Sequence, residues 1–145
     1  MQVRCATDDD VDEIRKLLDL SKLPSKDLDQ HIDNFILISD QTGVIGVGGL
    51  ELYADTALLR SVAVTHAYRN QGLGKKIFQL LESNALAAGI SCLYLLTESS
   101  EIYFKQLGFS VISREKAPHS IKNTEQFKGL CPSSAIVMRY RLAAK

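Results

Sequence analysis

One stretch near the middle of the chain, residues 62–88, constrains the fold more than any other. It opens with an apolar run typical of a strand, Val62–Val64, and then crosses a short polar loop that contains Gly72 and Gly74. An amphipathic pattern with the spacing of a helix runs from about Gln71 to Ala88. The chain is therefore predicted to pass here from a strand, through a glycine-containing loop, into a long helix.

The start of this helix carries positive charges, which helices usually place at their other end. Arg69, Lys75 and Lys76 gather where the helix dipole is already positive, which suggests that an anion balances them. The N–H groups of a first helical turn lack intrahelical partners and bind such an anion. Gly72 and Gly74 lack a Cβ atom, so a ligand can lie against the backbone. These features predict a phosphate-bearing ligand here, and the alternative is an ordinary helix start with turn glycines.

Spacing excludes two familiar phosphate loops. Arg69 stands where a P-loop needs its first glycine, and Ile77 stands where the dinucleotide fingerprint needs its third. What remains is Arg69-x-x-Gly72-x-Gly74 after an apolar strand. This pattern resembles the acyl-CoA signature Gln/Arg-x-x-Gly-x-Gly/Ala of the GNAT N-acetyltransferase superfamily.

The resemblance implies acetyl-CoA as the cosubstrate, with no metal. The pantetheine arm would pair with the backbone of Val62 and Val64 as a third strand would, and a backbone N–H near Val62 would stabilise the oxyanion. The residues that the resemblance assigns to cofactor binding are Val62, Ala63, Val64, Arg69, Asn70, Gln71, Gly72, Leu73, Gly74, Lys75 and Phe104.

Length and composition limit the number of domains and the kinds of partner that the chain can have. The 145 residues suffice for a single domain, predicted over residues 1–145, and 17 basic residues balance 17 acidic ones. The zero net charge gives no electrostatic support for a nucleic acid or an anionic membrane as partner. Cys5, Cys92 and Cys131 are too scattered for a metal or redox motif and are interpreted as reduced thiols of a cytoplasmic protein.

Hydrophobic periodicity and turn residues predict the remaining elements. Strands are expected at Gln2–Ala6, Phe35–Ile38, Val44–Tyr53, Ala57–Val64, Ser91–Leu96, Phe109–Ser113 and Ser134–Leu142, and further helices near Val11–Leu18, within 24–33 and at Ser99–Leu107. This order resembles the GNAT fold over nearly the whole chain. It implies an α/β (α+β) domain with a mixed, splayed sheet of about seven strands and about four helices, with the splay between Ala57–Val64 and Ser91–Leu96.

The acid and base of the reaction are less clear than the cofactor loop. Family members often carry a tyrosine five residues before the Phe of a Leu-Gly-Phe motif, and here that position is Phe104. Tyr103 beside it is the candidate acid, and its alternative role is core packing. Leu58 stands where many members carry a glutamate base. Glu51 and Glu98 are the candidate substitutes, and either one is otherwise a solvated or substrate-facing charge.

Arg60 interrupts an apolar strand, and alternation predicts that it shares a face with Val62 and Val64. A buried cation needs an anionic partner. Two partners stay open: an internal carboxylate such as Glu51, or the carboxylate of a substrate.

Three segments carry a closer resemblance: Leu58–Ser61, Tyr94–Thr97 and Leu130–Ala135. They resemble amino-acid-type N-acetyltransferases, a subgroup that includes N-acetylglutamate synthase-like and arsenic-resistance-associated proteins. The resemblance makes Arg60, Ser61, Thr97 and Cys131 the candidate substrate-binding residues. The long connection Arg114–Ser133 is expected to be a functional loop.

The predicted function is acetyl-CoA-dependent transfer to the α-amine of a small amino acid or amino-acid analogue, either glutamate-like or arsenic-containing. The other hypothesis is a catalytically weak acyl-CoA-binding sensor or interaction module. A small-molecule amine is the expected partner, and a homodimer is left open.

Overall fold

The computed structural model describes residues 1–142, so the end of the predicted domain, 143–145, lies outside the described residues. Seven strands form one sheet: β1 Gln2–Cys5, β2 Phe35–Asp40, β3 Gly43–Tyr53, β4 Thr56–Val64, β5 Cys92–Thr97, β6 Ser110–Ile112 and β7 Ile136–Arg141. The α-helices are α1 Val11–Leu20, α2 Leu28–His31, α3 Leu73–Ala87, α4 Glu101–Leu107 and α5 His119–Lys122. This mixed architecture confirms the predicted fold class.

The strand order in the sheet is β1-β2-β3-β4-β5-β7-β6. Strands β1 to β4 are antiparallel neighbours, and tight turns connect β2 to β3 and β3 to β4. Only β4 and β5 are parallel. A parallel neighbour requires a long crossover, and α3 supplies it.

The sheet opens between β4 and β5. Their register pairs only Thr56–Leu58 with Cys92–Tyr94, although β4 continues to Val64 and β5 to Thr97. Beyond the three paired positions the two strands separate and leave a gap. The predicted splay between these two strands is confirmed.

A bulge interrupts β4 just where the gap begins. Gly49 pairs with Arg60 and Val47 pairs with Ala63, so three steps along β4 oppose two along β3. The extra residue follows Arg60, and Ser61 takes a left-handed backbone with φ of 60°. Because an extra residue reverses the alternation, Arg60 lies on the opposite face from Val62. The prediction that the two share a face was therefore wrong.

Helices cover both faces of the sheet. On one face α3 packs through Ile77 and Leu81, both fully buried, and a Cβ atom at Gly48 would lie 2.6 Å from Ile77. A side chain larger than that of glycine at this position would therefore prevent the close approach of helix α3. On the other face α1 and α2 bury their apolar side chains against Phe35.

Helix α3 begins two residues later than predicted. Gly72, with φ of 82°, precedes its first turn, so Gln71 belongs to the loop. Only glycine adopts such a conformation without a steric cost, which fixes the start of the helix. No helix within residues 1–142 combines the length and the apolar character needed to cross a membrane.

The connection 114–133 is more structured than a loop. It contains α5 and a π-helical turn at Gln126–Leu130. The Thr124 hydroxyl joins the two, donating to the Ile121 carbonyl at 2.8 Å and accepting from the Phe127 N–H at 3.2 Å. Fully buried Ile121 anchors the segment on the same face of the sheet as α2. Sequence periodicity missed it because each piece is only four or five residues long.

Candidate active site in the gap of the sheet

A cavity of about 1000 Å³ fills the gap between β4 and β5. Residues 59–64 and 95–98 form its walls. Residues 72–75 at the start of α3 line one end, and residues 21–24 and 130–132 line the end on the opposite face. The cavity therefore connects the two faces of the sheet, and each end has its own chemistry.

The α3 end has the features of an anion site. The Lys76 N–H makes the first helical bond, to the Gly72 carbonyl at 3.1 Å, and no side chain within residues 1–142 caps the N–H groups before it. The Arg69 side chain is held beside them, because its Nε donates to the Val64 carbonyl at 3.0 Å. Unpaired N–H groups, two cations and an open cavity suit a phosphate.

The structure gathers most of the predicted cofactor residues at this cavity. Those that line it are Val62, Ala63, Val64, Arg69, Asn70, Gly72, Leu73, Gly74, Lys75 and Phe104. Gln71 is not among the lining residues, since its exposed side-chain amide donates to the Ala67 carbonyl at 3.3 Å. Strand and helix thus converge on one end of the cavity.

Behind the opposite end lies a buried ionic cluster. The Arg60 guanidinium donates to both Asp27 oxygens, at 2.8 and 2.6 Å, and to Glu51 Oε2 at 2.7 Å, with all three side chains at most 1 % exposed. Tyr53 donates its hydroxyl proton to Glu51. Burial works against a charged Asp27, but the bonds and charge of Arg60 outweigh it and keep the pKa of Asp27 below its ordinary value.

Arg60 uses all its N–H groups inside the protein. Besides the carboxylates, its Nε donates to Ser61 Oγ at 3.1 Å. With the Gln126 amide turned so that its oxygen faces Arg60, this oxygen accepts from Nη2 and Nε at 3.1 Å. Of the two partners left open for Arg60, the structure shows the internal one. A substrate carboxylate finds no free donor on this guanidinium.

The candidate bases lie in different surroundings. Glu51 belongs to the buried cluster and is not among the residues that line the cavity. Glu98 follows β5, lines the cavity and is exposed to it. Of the two, Glu98 alone has direct access to a ligand in the gap.

Tyr103 lies at the α3 end. It lines the cavity, and its hydroxyl lies so close to Gly74 that a Cβ atom there would collide with it. Burial raises the pKa of Tyr103 above its ordinary value. Phe104 packs edge-on against Phe109 and lines the cavity beside Tyr103. The tyrosine hydroxyl therefore faces the anion site.

The remaining predicted substrate residues, Ser61, Thr97 and Cys131, all line the cavity. Thr97 Oγ1 accepts from the Ser100 N–H at 3.0 Å and so shapes the turn before α4. Burial raises the pKa of Cys131 to about 11, so this thiol is neutral at ordinary pH. Together they form a mostly uncharged lining.

Two residues of the site escaped the sequence analysis. Asp27 lies in a polar run without periodicity, and its partner Arg60 is 33 positions away. Lys22 lines the cavity from the turn after α1, where its φ is 58°. The only sequence signal for Lys22 was that no glycine follows α1, although helices commonly end with a glycine in the left-handed conformation.

Within residues 1–142, one trio of side chains has the spacing of a metal site. The ligand atoms of Asp27, His31 and Glu51 lie within 4.8 Å of one another. Arg60 already donates hydrogen bonds to both carboxylates, so the trio is interpreted as part of the ionic cluster.

Comparison with known proteins agrees with this geometry. A family model described as the acetyltransferase (GNAT) domain matches residues 31–111, and the prediction of an acetyltransferase domain is thereby confirmed. An uncharacterized N-acetyltransferase of Chlorobaculum tepidum is 30% identical over 93 residues, which are 63% of this chain and 59% of that protein. An amino-acid acetyltransferase of Pseudomonas fluorescens is 29% identical over 93 residues, 63% of this chain and 22% of the relative. The chain thus spans less than two thirds of either relative.

Among solved structures, N-acetylglutamate synthase from Neisseria gonorrhoeae, complexed with coenzyme A and N-acetyl-glutamate, superimposes with a TM-score of 0.84. The match covers 99% of this chain and 35% of the synthase, at 22% identity. At this identity the likeness establishes the fold alone.

Proposed function

Because the chain belongs to the GNAT acetyltransferase family, we propose that it transfers the acetyl group of acetyl-CoA to the α-amine of a small amino acid or amino-acid analogue. One observation carries the proposal: a single cavity joins an anion site at the start of α3 to a separate end on the opposite face. The first end suits the phosphates of the donor, and the second is open to an acceptor.

The chain's own groups suit coenzyme A in a definite order along the cavity. The N–H groups of Leu73 to Lys75, with the charges of Arg69 and Lys75, would hold the pyrophosphate. The edge of β4 at Val62–Val64, free of β5 here, would pair with the pantetheine amides. When bound, acetyl-CoA supplies an activated thioester at the bulge.

The bulge supplies the electrostatic part of the reaction. Ser61 and Val62 have no partner in the register of β3, and both line the cavity. When the amine attacks, the carbonyl oxygen of the thioester gains negative charge and becomes an oxyanion. We assign the hydrogen bond that stabilises this oxyanion to the Val62 N–H. Such a donor, fixed before the reaction, contributes about 3–4 kcal/mol of stabilisation in enzymes of this kind of chemistry.

Proton transfer falls to Glu98. An α-amine has a pKa of about 8, so a useful fraction is neutral at physiological pH. The nitrogen becomes much more acidic as it bonds to the acyl carbon, and Glu98 or a water beside it takes the proton. The thiol of coenzyme A, with a pKa of about 8.5, leaves without a dedicated acid. Tyr103 then has no part in proton transfer, and its ring forms the cavity wall beside the anion site.

The functions of relatives support an amino acid as acceptor. Several relatives are amino-acid acetyltransferases, and a structural neighbour holds N-acetyl-glutamate. An arsenic-containing analogue would use the same groups for its amine, and the neutral Cys131 thiol gives it no anionic ligand.

The test is release of free thiol from acetyl-CoA across a panel of amino acids, with mass spectrometry of the product. We expect one N-acetyl amino acid per thiol released, because transfer is direct. The sensor hypothesis draws support from Leu58 and Phe104, which replace the usual base and acid. Tight binding of coenzyme A without turnover on any amine would leave only the sensor.

A further inference from the structure

The charges at the acceptor end narrow the substrate class. Resting on the proposed function, we propose that the acceptor is an α-amino acid with an uncharged side chain, whose carboxylate pairs with Lys22. The dicarboxylate glutamate would then be a poor substrate.

The argument begins with the cations at this end. Among the described residues that line it, only Lys22 and Arg60 are basic, and Arg60 spends its five N–H groups on protein acceptors. Lys22 is exposed, and no ion pair within residues 1–142 involves it. One cation is therefore available to a ligand.

Hydrogen bonds at the end of α1 fix the backbone of Lys22 beside this end of the cavity. The Lys22 N–H donates to the Asp19 carbonyl at 3.1 Å, and the Leu23 N–H donates to the Leu18 carbonyl at 2.9 Å, which closes the end of α1. The φ of 58° at Lys22 belongs to a position where helices usually place glycine. A lysine there costs backbone energy, and what it adds is an ammonium group on the wall of the cavity.

The anion of the acceptor end is Glu98. It lines the cavity after β5, so one positive and one negative charge face the ligand. This pair complements the carboxylate and ammonium groups of a zwitterion. A second carboxylate on the ligand would have no cation and would be repelled by Glu98.

The rest of the lining is apolar or neutral. Leu23, Pro24, Leu130 and Pro132 line the end on the acceptor face, together with the thiol of Cys131. Such a wall suits a small uncharged side chain and offers no second cation to a side-chain carboxylate. The charged residues of this end and its apolar lining thus both favour an amino acid with a neutral side chain.

The experiment compares kcat/KM for alanine, serine and valine with that for glutamate and for isobutylamine, which is valine without its carboxylate. We expect each neutral amino acid to exceed glutamate and isobutylamine by about tenfold or more, the effect of one charge-assisted contact. Lys22→Gly should raise the KM for valine by about tenfold to a hundredfold. It should leave the KM values for acetyl-CoA and isobutylamine unchanged.

Lys22→Gly keeps the test independent of folding, because glycine relieves the left-handed strain and its melting temperature should equal or exceed that of the wild type. Lys22→Arg should retain valine activity, and Lys16→Gly is the control on the exposed face of α1. Preference for glutamate, or an unchanged KM for valine in Lys22→Gly, would overturn the inference while the proposed function stands. Binding of coenzyme A with no amino acid acetylated would reject both.

Discussion

Arg60 and Asp27 form a bidentate ion pair in the interior, with N–O distances of 2.6 and 2.8 Å and no solvent exposure of either side chain. The pair ties the segment before α2 to β4 beside the bulge. The same guanidinium donates to Ser61 Oγ, so the left-handed turn of the bulge is fixed from inside the protein. Arg60 therefore helps to shape the wall of the cavity.

Removal of Asp27 should be costly for stability. In Asp27→Ala the buried Arg60 charge keeps Glu51 as its partner but loses two charge-assisted hydrogen bonds, and buried donors left unpaired in this way cost about 1–3 kcal/mol. Urea unfolding measures the loss. The matched control is Asp29→Ala, whose exposed bond to Arg15 contributes less than about 1 kcal/mol. A loss in Asp27→Ala no larger than in the control would show that the pair does not stabilise the fold.

The contact between Gly74 and Tyr103 predicts that a second substitution restores the cofactor affinity lost in Gly74→Ala. In Gly74→Ala the new methyl group collides with the Tyr103 hydroxyl but lies 3.4 Å from the ring carbon Cζ. We expect the KM for acetyl-CoA to rise about threefold to tenfold as the ring is displaced. Addition of Tyr103→Phe should restore it, because the colliding atom is gone. Gly129→Ala is the control, since nothing lies near its Cβ position. A double variant as impaired as Gly74→Ala would contradict this account.

The helices and strands were predictable because their periodic patterns are local. Helix α3, for example, buries apolar residues at helical spacing, Leu73, Ile77, Phe78, Leu81 and Ala85, and strand β5 buries the continuous apolar run 93–95. The gap in the sheet followed only from the family resemblance, since it depends on how two strands separate in space. Membership of the family and the predicted fold are both confirmed.

The bulge explains what the sequence could not predict. Simple alternation along β4 placed Arg60 on the wrong face of the sheet. The extra residue at Ser61 shifts the alternation, so residues before the bulge and residues after it exchange faces. The partner Asp27 lies in an aperiodic segment, so no local pattern connects it to Arg60. Roles for individual residues at the acceptor end stay predictions.

Glu98 is predicted to carry the proton. Glu98→Gln should lower kcat by about a hundredfold or more, the usual contribution of a general base, and should leave acetyl-CoA binding intact. Stopped thiol-release assays at saturating substrate measure it. Glu101→Gln is the matched control, because that side chain is engaged by Lys105 on the surface of α4. Equal activity of both variants would assign the proton to water alone.

The buried thiol predicts a pH-dependent reactivity. Burial favours the neutral form of Cys131 and raises its pKa to about 11, so its thiolate is scarce at about pH 8 and increases as the pH rises toward that value. Iodoacetamide should therefore label exposed Cys5 first and Cys131 only at high pH. Mass spectrometry of the labelled peptides follows both, with a urea-unfolded sample as control. Labelling of native Cys131 as fast as Cys5 at pH 8 would refute the assignment.

The most direct test of the central claim is a calorimetric titration of the wild type and of Arg69→Ala/Lys75→Ala with coenzyme A, with Lys16→Ala as surface control. We expect one site per chain in the wild type and the control, and affinity weakened by about tenfold or more in the double variant, which loses two charges from the anion site. No heat from the wild type at millimolar coenzyme A, or equal affinity in the double variant, would contradict the assignment of the phosphate site to the start of α3.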